Sequence, residues 1–132
     1  MSRSEREQYL AGVHVGVVAV ERADRAPLAV PIWYGYRPGG EVLLWTESES
    51  IKHRLIRDAG RFSITVQDEN PPYKYVTAEG NVGPAGDNDV RTIAVRYLGA
   101  EAGGLFADQN LTPTSIIIRM RPERWLSTDY SK

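Results

Sequence analysis

The sequence predicts a mainly β fold, six strands rolled into a small antiparallel barrel with short helices at its periphery. Three observations carry that reading. Apolar residues recur at every second position in several short stretches, as Phe62, Ile64 and Val66 do in "RFSITVQDE". Clusters such as "RPGG" and "NPP" punctuate those stretches at turn-like intervals. Only three segments carry helix signals, and each is short.

In chain order, Ser4 followed by Glu7 reads as a capping box opening a helix that ends near Gly12. "VHVGVVAVE" (13–21) is Val-rich and predicts a strand, closed by the polar turn "RADR". "PLAVPIWYGY" (27–36) predicts a second strand with Leu28, Val30, Ile32, Tyr34 and Tyr36 on one face. Pro31 in its middle requires an edge, a bulge or a barrel corner. "RPGG" turns directly into "EVLLWT", so these two strands form an antiparallel hairpin. A helix follows near 51–59, then the alternating strand at 61–69. "NPP" interrupts the chain, "YKYVTAEGNV" resumes it as a strand, and "GPAGDND" ends that strand. Residues 88–99 read as a helix with Val90, Ile93, Ala94 and Tyr97 on one face. The Gly-containing stretch 99–113 carries no clear signal, and "TSIIIRMRPERW" closes the chain as a last strand.

The 132 residues, 42% hydrophobic and 25% charged with a formal net charge of -1, fit one globular domain over 1–132 and demand no nucleic acid. The absence of cysteine excludes disulfides, iron–sulfur ligation and thiolate chemistry, and fits a cytoplasmic protein. The uncharged apolar stretches are about half of what a membrane span needs. Two histidines, His14 and His53, stand with no acidic partner at metal-site spacing, and the sequence has no phosphate-binding loop or serine-nucleophile elbow. With so few reactive side chains, an enzyme of this composition takes its reactivity from a cofactor.

"EVLLWTESESIKHRL" (41–55) is the informative segment. With Ser50 as N-cap, the helix opens on Ile51, Lys52, His53 and Arg54, cations placed where the helix already carries partial positive charge. A bound phosphate would reconcile them, held by free N–H groups, by the hydroxyls of Thr46 or Ser50, and by Lys52 and Arg54. The alternative is neutralisation by Glu47 and Glu49.

The ordered set of Val-rich strand, "PLAVPIWYGY", "VLLWTESESIK", "GRFSITV" and "PPYKYVTAEGNV" resembles the pyridoxamine 5'-phosphate oxidase-like superfamily of flavin-binding split β-barrels, nearest its small actinobacterial branch. The resemblance runs from about residue 8 to 125 and implies a six-stranded antiparallel split β-barrel that forms a homodimer, with a cofactor at each end of the interface. It implies FMN or the deazaflavin coenzyme F-420, the latter slightly preferred, and hydride exchange with an unidentified small substrate. Carried onto this chain, Ser50 and Lys52 match the phosphate contacts, supported by Thr46 and Arg54. Val30, Pro31, Ile32 and Trp33 match the strand that lines the ring, and Tyr75 joins them, although Trp45, Tyr73 and Tyr75 read more simply as barrel or dimer core. Trp33, Trp45, Tyr73 and Ile116–Ile118 are more large apolar residues than a small barrel interior needs, which points to an obligate dimer. True pyridoxamine-phosphate oxidases resemble one another through a longer C-terminal segment with arginine and histidine contacts. Here no histidine follows His53, so oxidation of pyridoxamine phosphate is not expected; Arg119 and Arg121, on one face of the last strand, could form a second phosphate site but read more simply as the charge of an exposed strand face.

Overall fold

A computed structural model describes residues 1–84 and 90–132. The chain order is α1 (Arg3–Ala11), β1 (Gly16–Val20), β2 (Leu28–Ile32), β3 (Tyr34–Gly35), β4 (Val42–Glu47), α2 (Ile51–Ala59), β5 (Arg61–Asp68), β6 (Lys74–Asn81), α3 (Val90–Leu98), α4 (Ala100–Asn110), β7 (Ser115–Met120) and β8 (Arg124–Asp129). A five-stranded sheet runs β2-β1-β5-β6-β8 and a three-stranded sheet runs β3-β4-β7, with every pairing antiparallel. Among the described residues no ladder closes the two sheets into one barrel. They are joined by an isolated bridge from Val82 to Met120 and by four chain connections, of which two, β2 to β3 and β7 to β8, pass from one sheet to the other without an intervening helix.

Those two segments account for eight strands where six were expected. The 27–36 stretch keeps its predicted face, with Ile32, Tyr34 and Tyr36 buried, but it breaks at Trp33 between β2 and β3. The break is the barrel corner that Pro31 required, and β2 is an edge strand. The expected last strand is likewise two, since Arg121-Pro122-Glu123 carries the chain from β7 in one sheet to β8 in the other. Pro122 lacks the N–H needed to continue the β7 ladder.

The first helix is capped two residues earlier than expected. Ser2 accepts from Glu5 N and the Glu5 carboxylate accepts from Ser2 N, which leaves Ser4 exposed inside the first turn. The strand expected over 13–21 begins only at Gly16. The hairpin of "RPGG" forms, pairing Tyr34 with Leu44, and Gly39 occupies the left-handed region at φ 78°. The 88–99 helix starts at Val90 among the described residues; 88 and 89, and most of "GPAGDND", lie outside them. The stretch 99–113 is a helix, α4, whose buried residues are Gly103, Gly104 and Ala107.

The main core lies between the sheets, built from inward rows such as Val18, Ile64 and Ala78 with Leu44, Val42 and Met120 opposite, and α2 lies against β1, β4 and β5. A second, smaller core joins Ile117 to Val90 and Ile93, flanked by Trp33, Trp45 and Tyr97. Among the described residues no helix is long and apolar enough to cross a membrane.

Candidate functional site

The α2 N-terminus forms as the charge pattern required. Ser50 is the N-cap and its Oγ accepts from His53 N at 3.0 Å, while the Thr46 and Ser50 hydroxyl oxygens lie 3.0 Å apart. Thr46 is buried because β4 alternates, turning Val42, Leu44 and Thr46 inward. The remaining first-turn N–H groups, of Ile51 and Lys52, have no intrahelical acceptor.

The acidic neighbours do not neutralise this end. Glu47 accepts from the hydroxyls of Thr112, Thr114 and Ser115 at 2.6, 2.9 and 2.9 Å, which ties its carboxylate to the segment before β7. Glu49 is exposed and forms no ion pair among the described residues. Lys52 is half-buried and carries neither a hydrogen bond nor an ion pair among the described residues, and burial pulls its ammonium below the usual lysine value. The Nδ1 of His53 is buried without a partner, a feature no sequence pattern signals. Burial, with the Arg57 charge adding to it, lowers the His53 pKa. A half-buried unpaired cation, a hydroxyl pair and free N–H groups thus share one helix turn. That donor set suits a phosphate.

The other expected residues separate. Arg54 is exposed and lines a different groove, shared with Arg22, Asp24, Arg25, Asp58 and Arg61. Val30 and Ile32 pair across Val18 and Gly16 and pack with the main core, so only their backbone is available to a ligand on that strand. Pro31, opposite Val17, is exposed on the outer face of the five-stranded sheet. Trp33 stacks on Tyr97 with ring centroids 4.8 Å apart and lies 5.3 Å from Phe106, which makes it part of the wall under α3 and α4. Tyr75 is half-buried on β6 opposite Thr128.

The register reveals a row that sequence reasoning did not single out: Pro31, Val17, Thr65, Thr77 and Leu126 stand side by side across all five strands. The Thr65 and Thr77 hydroxyls bond at 2.8 Å, and Val17 and Leu126 are 42% and 61% exposed. The run "VHVGVVAV" hid this face, because valine occupies both inward and outward positions. Arg119 and Arg121 do not form a pair; they line separate cavities on either side of the β3–β4 turn.

No protein-family model matches the sequence, and no curated protein matches it either. Solved structures do. A conserved hypothetical protein from Mycobacterium tuberculosis is 21% identical and superposes over 98% of this chain and 86% of its own with a TM-score of 0.78. An F420 reductase is 23% identical over 91% of this chain and 94% of its own, with a TM-score of 0.68. A candidate pyridoxamine 5'-phosphate oxidase from Listeria innocua is 13% identical over 94% and 93%, with a TM-score of 0.65. Likeness at these identities establishes a shared fold.

Proposed function

For a chain with the fold of the pyridoxamine 5'-phosphate oxidase-like proteins, we propose a redox enzyme that binds a flavin-type cofactor and exchanges hydride with a small organic substrate. The observation that carries it is the α2 N-terminus, where Lys52 stands half-buried and unpaired beside the Thr46–Ser50 hydroxyl pair while Glu47 is held elsewhere. Lys52 and the free N–H groups hold the cofactor phosphate, and Thr46 and Ser50 orient it. Arg54, on the neighbouring groove, supplies long-range charge rather than a direct contact. Pro31 and Tyr75 offer side chains to the ring, Val30 and Ile32 only backbone, and Trp33 closes the corner. When bound, the ring supplies the hydride chemistry; the protein binds, orients and excludes water. No side-chain acid or base is assigned.

Of FMN and the deazaflavin coenzyme F-420 we favour the second, supported by the fold shared with an F420 reductase and by Arg54 and Arg57 flanking the site. The protein acts as a homodimer through the outer face of the five-stranded sheet, in the cytoplasm, and is not a true pyridoxamine-phosphate oxidase. The test is a visible-absorbance titration of the purified protein with each cofactor, repeated on Lys52→Ala. Removing one charged hydrogen-bond donor is expected to cost about 1.5–3 kcal/mol of cofactor affinity, roughly 10- to 150-fold, with the fold intact. Unchanged affinity overturns the site. Tight binding with no turnover of enones or quinones would instead mark a non-catalytic flavin- or haem-binding dimer, the competing reading. Efficient conversion of pyridoxamine phosphate to its aldehyde would overturn the exclusion of that substrate.

A further inference from the structure

The end of the molecule opposite α2 gathers arginine. Of the chain's 16 lysines and arginines, six line two adjoining cavities that share Tyr36 and Gly40: Arg3, Arg6 and Arg121 in one, Arg37, Arg96 and Arg119 in the other. Three glutamates, Glu7, Glu41 and Glu123, face them. In a chain whose formal net charge is -1, that is a local positive excess.

The first cavity, about 320 Å³, is the better defined. Its inner wall is Arg6, whose guanidinium lies 4.9 Å over the Trp125 ring and whose Nε is buried with no acceptor. Stacking on the indole offsets the charge but gives the N–H no partner. A buried donor left unpaired costs about 1–3 kcal/mol, so the arrangement is poised to accept one. Around it the donors exceed the acceptors. Arg121 donates one N–H to Gly39 O at 3.1 Å, leaving the rest of its guanidinium free to turn toward the cavity. Arg3 reaches Glu7 only at 3.7 Å, with its own side chain 81% exposed. Glu123 turns one carboxylate oxygen away, to Asn81 N at 3.3 Å. Tyr36 and Trp125, packed edge to face, supply aromatic wall.

We infer that this cavity is a second, separate binding site, which takes the phosphate or carboxylate group of a small molecule with Arg6 as central donor and Arg3 and Arg121 closing over it. It is distinct from the α2 site: Gly40 lies in the turn before β4 and Thr46 near the far end of that strand, with the four strand steps from Val42 to Thr46, roughly 13 Å, between them. It does not depend on the cofactor proposal.

The test titrates inorganic phosphate, and in a parallel arm succinate, into the ligand-free protein at ionic strength held constant with sodium chloride. Thermal midpoint and tryptophan emission are read together, since Trp125 touches the moving guanidinium. The expected result is a saturable rise in midpoint and an emission change that Trp125→Phe abolishes, with the apparent Kd raised at least tenfold by Arg6→Gln. The arm that saturates at lower concentration identifies the preferred oxyanion. Arg121→Gln, at an exposed position that leaves the core untouched, provides the same readout if Arg6→Gln does not fold, and Lys52→Ala is expected to leave the binding unchanged. Absence of a saturable response to either anion overturns the inference, as does a response that Lys52→Ala removes or that Arg6→Gln and Arg121→Gln both leave intact.

Discussion

Three side chains fix the α1–β1 connection: Arg96 and Tyr34 act on backbone carbonyls that the helix end leaves unpaired, and Tyr97 on that of His14 in the connection itself. Arg96 donates to Ala11 O at 3.0 Å and to Gly12 O at 2.5 Å, Tyr34 OH to Leu10 O at 2.6 Å, and Tyr97 OH to His14 O at 2.6 Å. α1 has no basic residue in its last turn, so Arg96 supplies from α3 the positive charge that the C-terminal dipole favours. Burial raises the pKa of Tyr34 and Tyr97, which keeps both phenols protonated as donors. Arg96→Ala is expected to cost about 1.5–3 kcal/mol in chemical denaturation, and Arg96→Lys to recover only part of it because one ammonium cannot span two carbonyls as a fork does. An Arg96→Lys variant as stable as the parent would show that charge alone suffices. The histidines add a pH dependence. His14, buried against Tyr9, and His53, buried near Arg57, both have pKa values lowered below 6.5. The unfolded chain therefore takes up protons first as pH falls, and their contribution, full above 6.5, is lost as pH drops through 6.5 toward the folded values. Denaturation midpoints at pH 7.5 and 5.5 should decrease in that order, and the decrease should shrink in a His14→Gln, His53→Gln double variant.

At the scale of elements, what was legible depended on which residues carried the burial. Helix α2 and strand β5 were readable at their boundaries because Ser50 caps, Gly60 ends the helix at φ 73°, and large apolar residues then alternate. Helix α4 was not, because its buried stripe is glycine and alanine, which carry almost no hydrophobic signal. The glycines are needed for proximity: a Cβ on Gly103 would stand 2.5 Å from Val95 Cα, so α3 and α4 meet backbone to backbone, and Arg91 pairs with Asp108 across them. Phe106 then reaches both Trp33 and Trp45, the second lying 6.0 Å away edge-on. Gly103→Ala is expected to destabilise by about 1–3 kcal/mol through forced separation of the helices, and to shift tryptophan emission to the red as that aromatic cluster opens to water. Gly80 raises the same constraint in the sheet, where an added Cβ would meet Arg121 O at 2.2 Å, at the corner where Pro122 divides the expected last strand. The split at Trp33 was signalled only as one of the options Pro31 left open, because side-chain alternation continues from Ile32 to Tyr34 and Tyr36, whereas at Pro122 the inward phase shifts from Met120 to Trp125 within a segment read as one strand.

For the whole molecule, the apolar excess expected to make a dimer is mostly spent inside one chain. Trp33, Trp45, Ile117 and Ile118 belong to the two cores and Ile116 packs beside them, whereas Tyr73 is 51% exposed. The surface proposed to meet a second copy is the outer face of the five-stranded sheet. Its central row, Pro31, Val17, Thr65, Thr77 and Leu126, is uncharged from edge to edge, and the row beside it, Ala29, Ala19, Ser63, Glu79 and Arg124, carries charge only on β6 and β8. Antiparallel sheets that face water alternate apolar with polar residues, and here valine, proline and leucine occupy the solvent positions. Val13 and Val15, at 61% and 57% exposure, continue the apolar surface just before β1. A second copy of the chain laid on this face would bury the row and would bring exposed Pro31 and half-buried Tyr75, the outward members of the ring-lining set, to its border. The proposed cofactor site and the proposed dimer share Pro31, but Lys52 belongs to the first alone and Val17 to the second alone. Val17→Lys places a charge in the row beside its central Thr65 without touching either core, and its inward neighbour Val18 keeps β1 anchored. The expected outcome is a parent protein that light scattering reports as a dimer at micromolar concentration and a Val17→Lys variant of unchanged circular dichroism that it reports as a monomer. Lys52→Ala, at the start of α2, should remain a dimer while losing cofactor affinity; a monomeric parent, or a Val17→Lys variant that stays dimeric, would remove this face as the site of association.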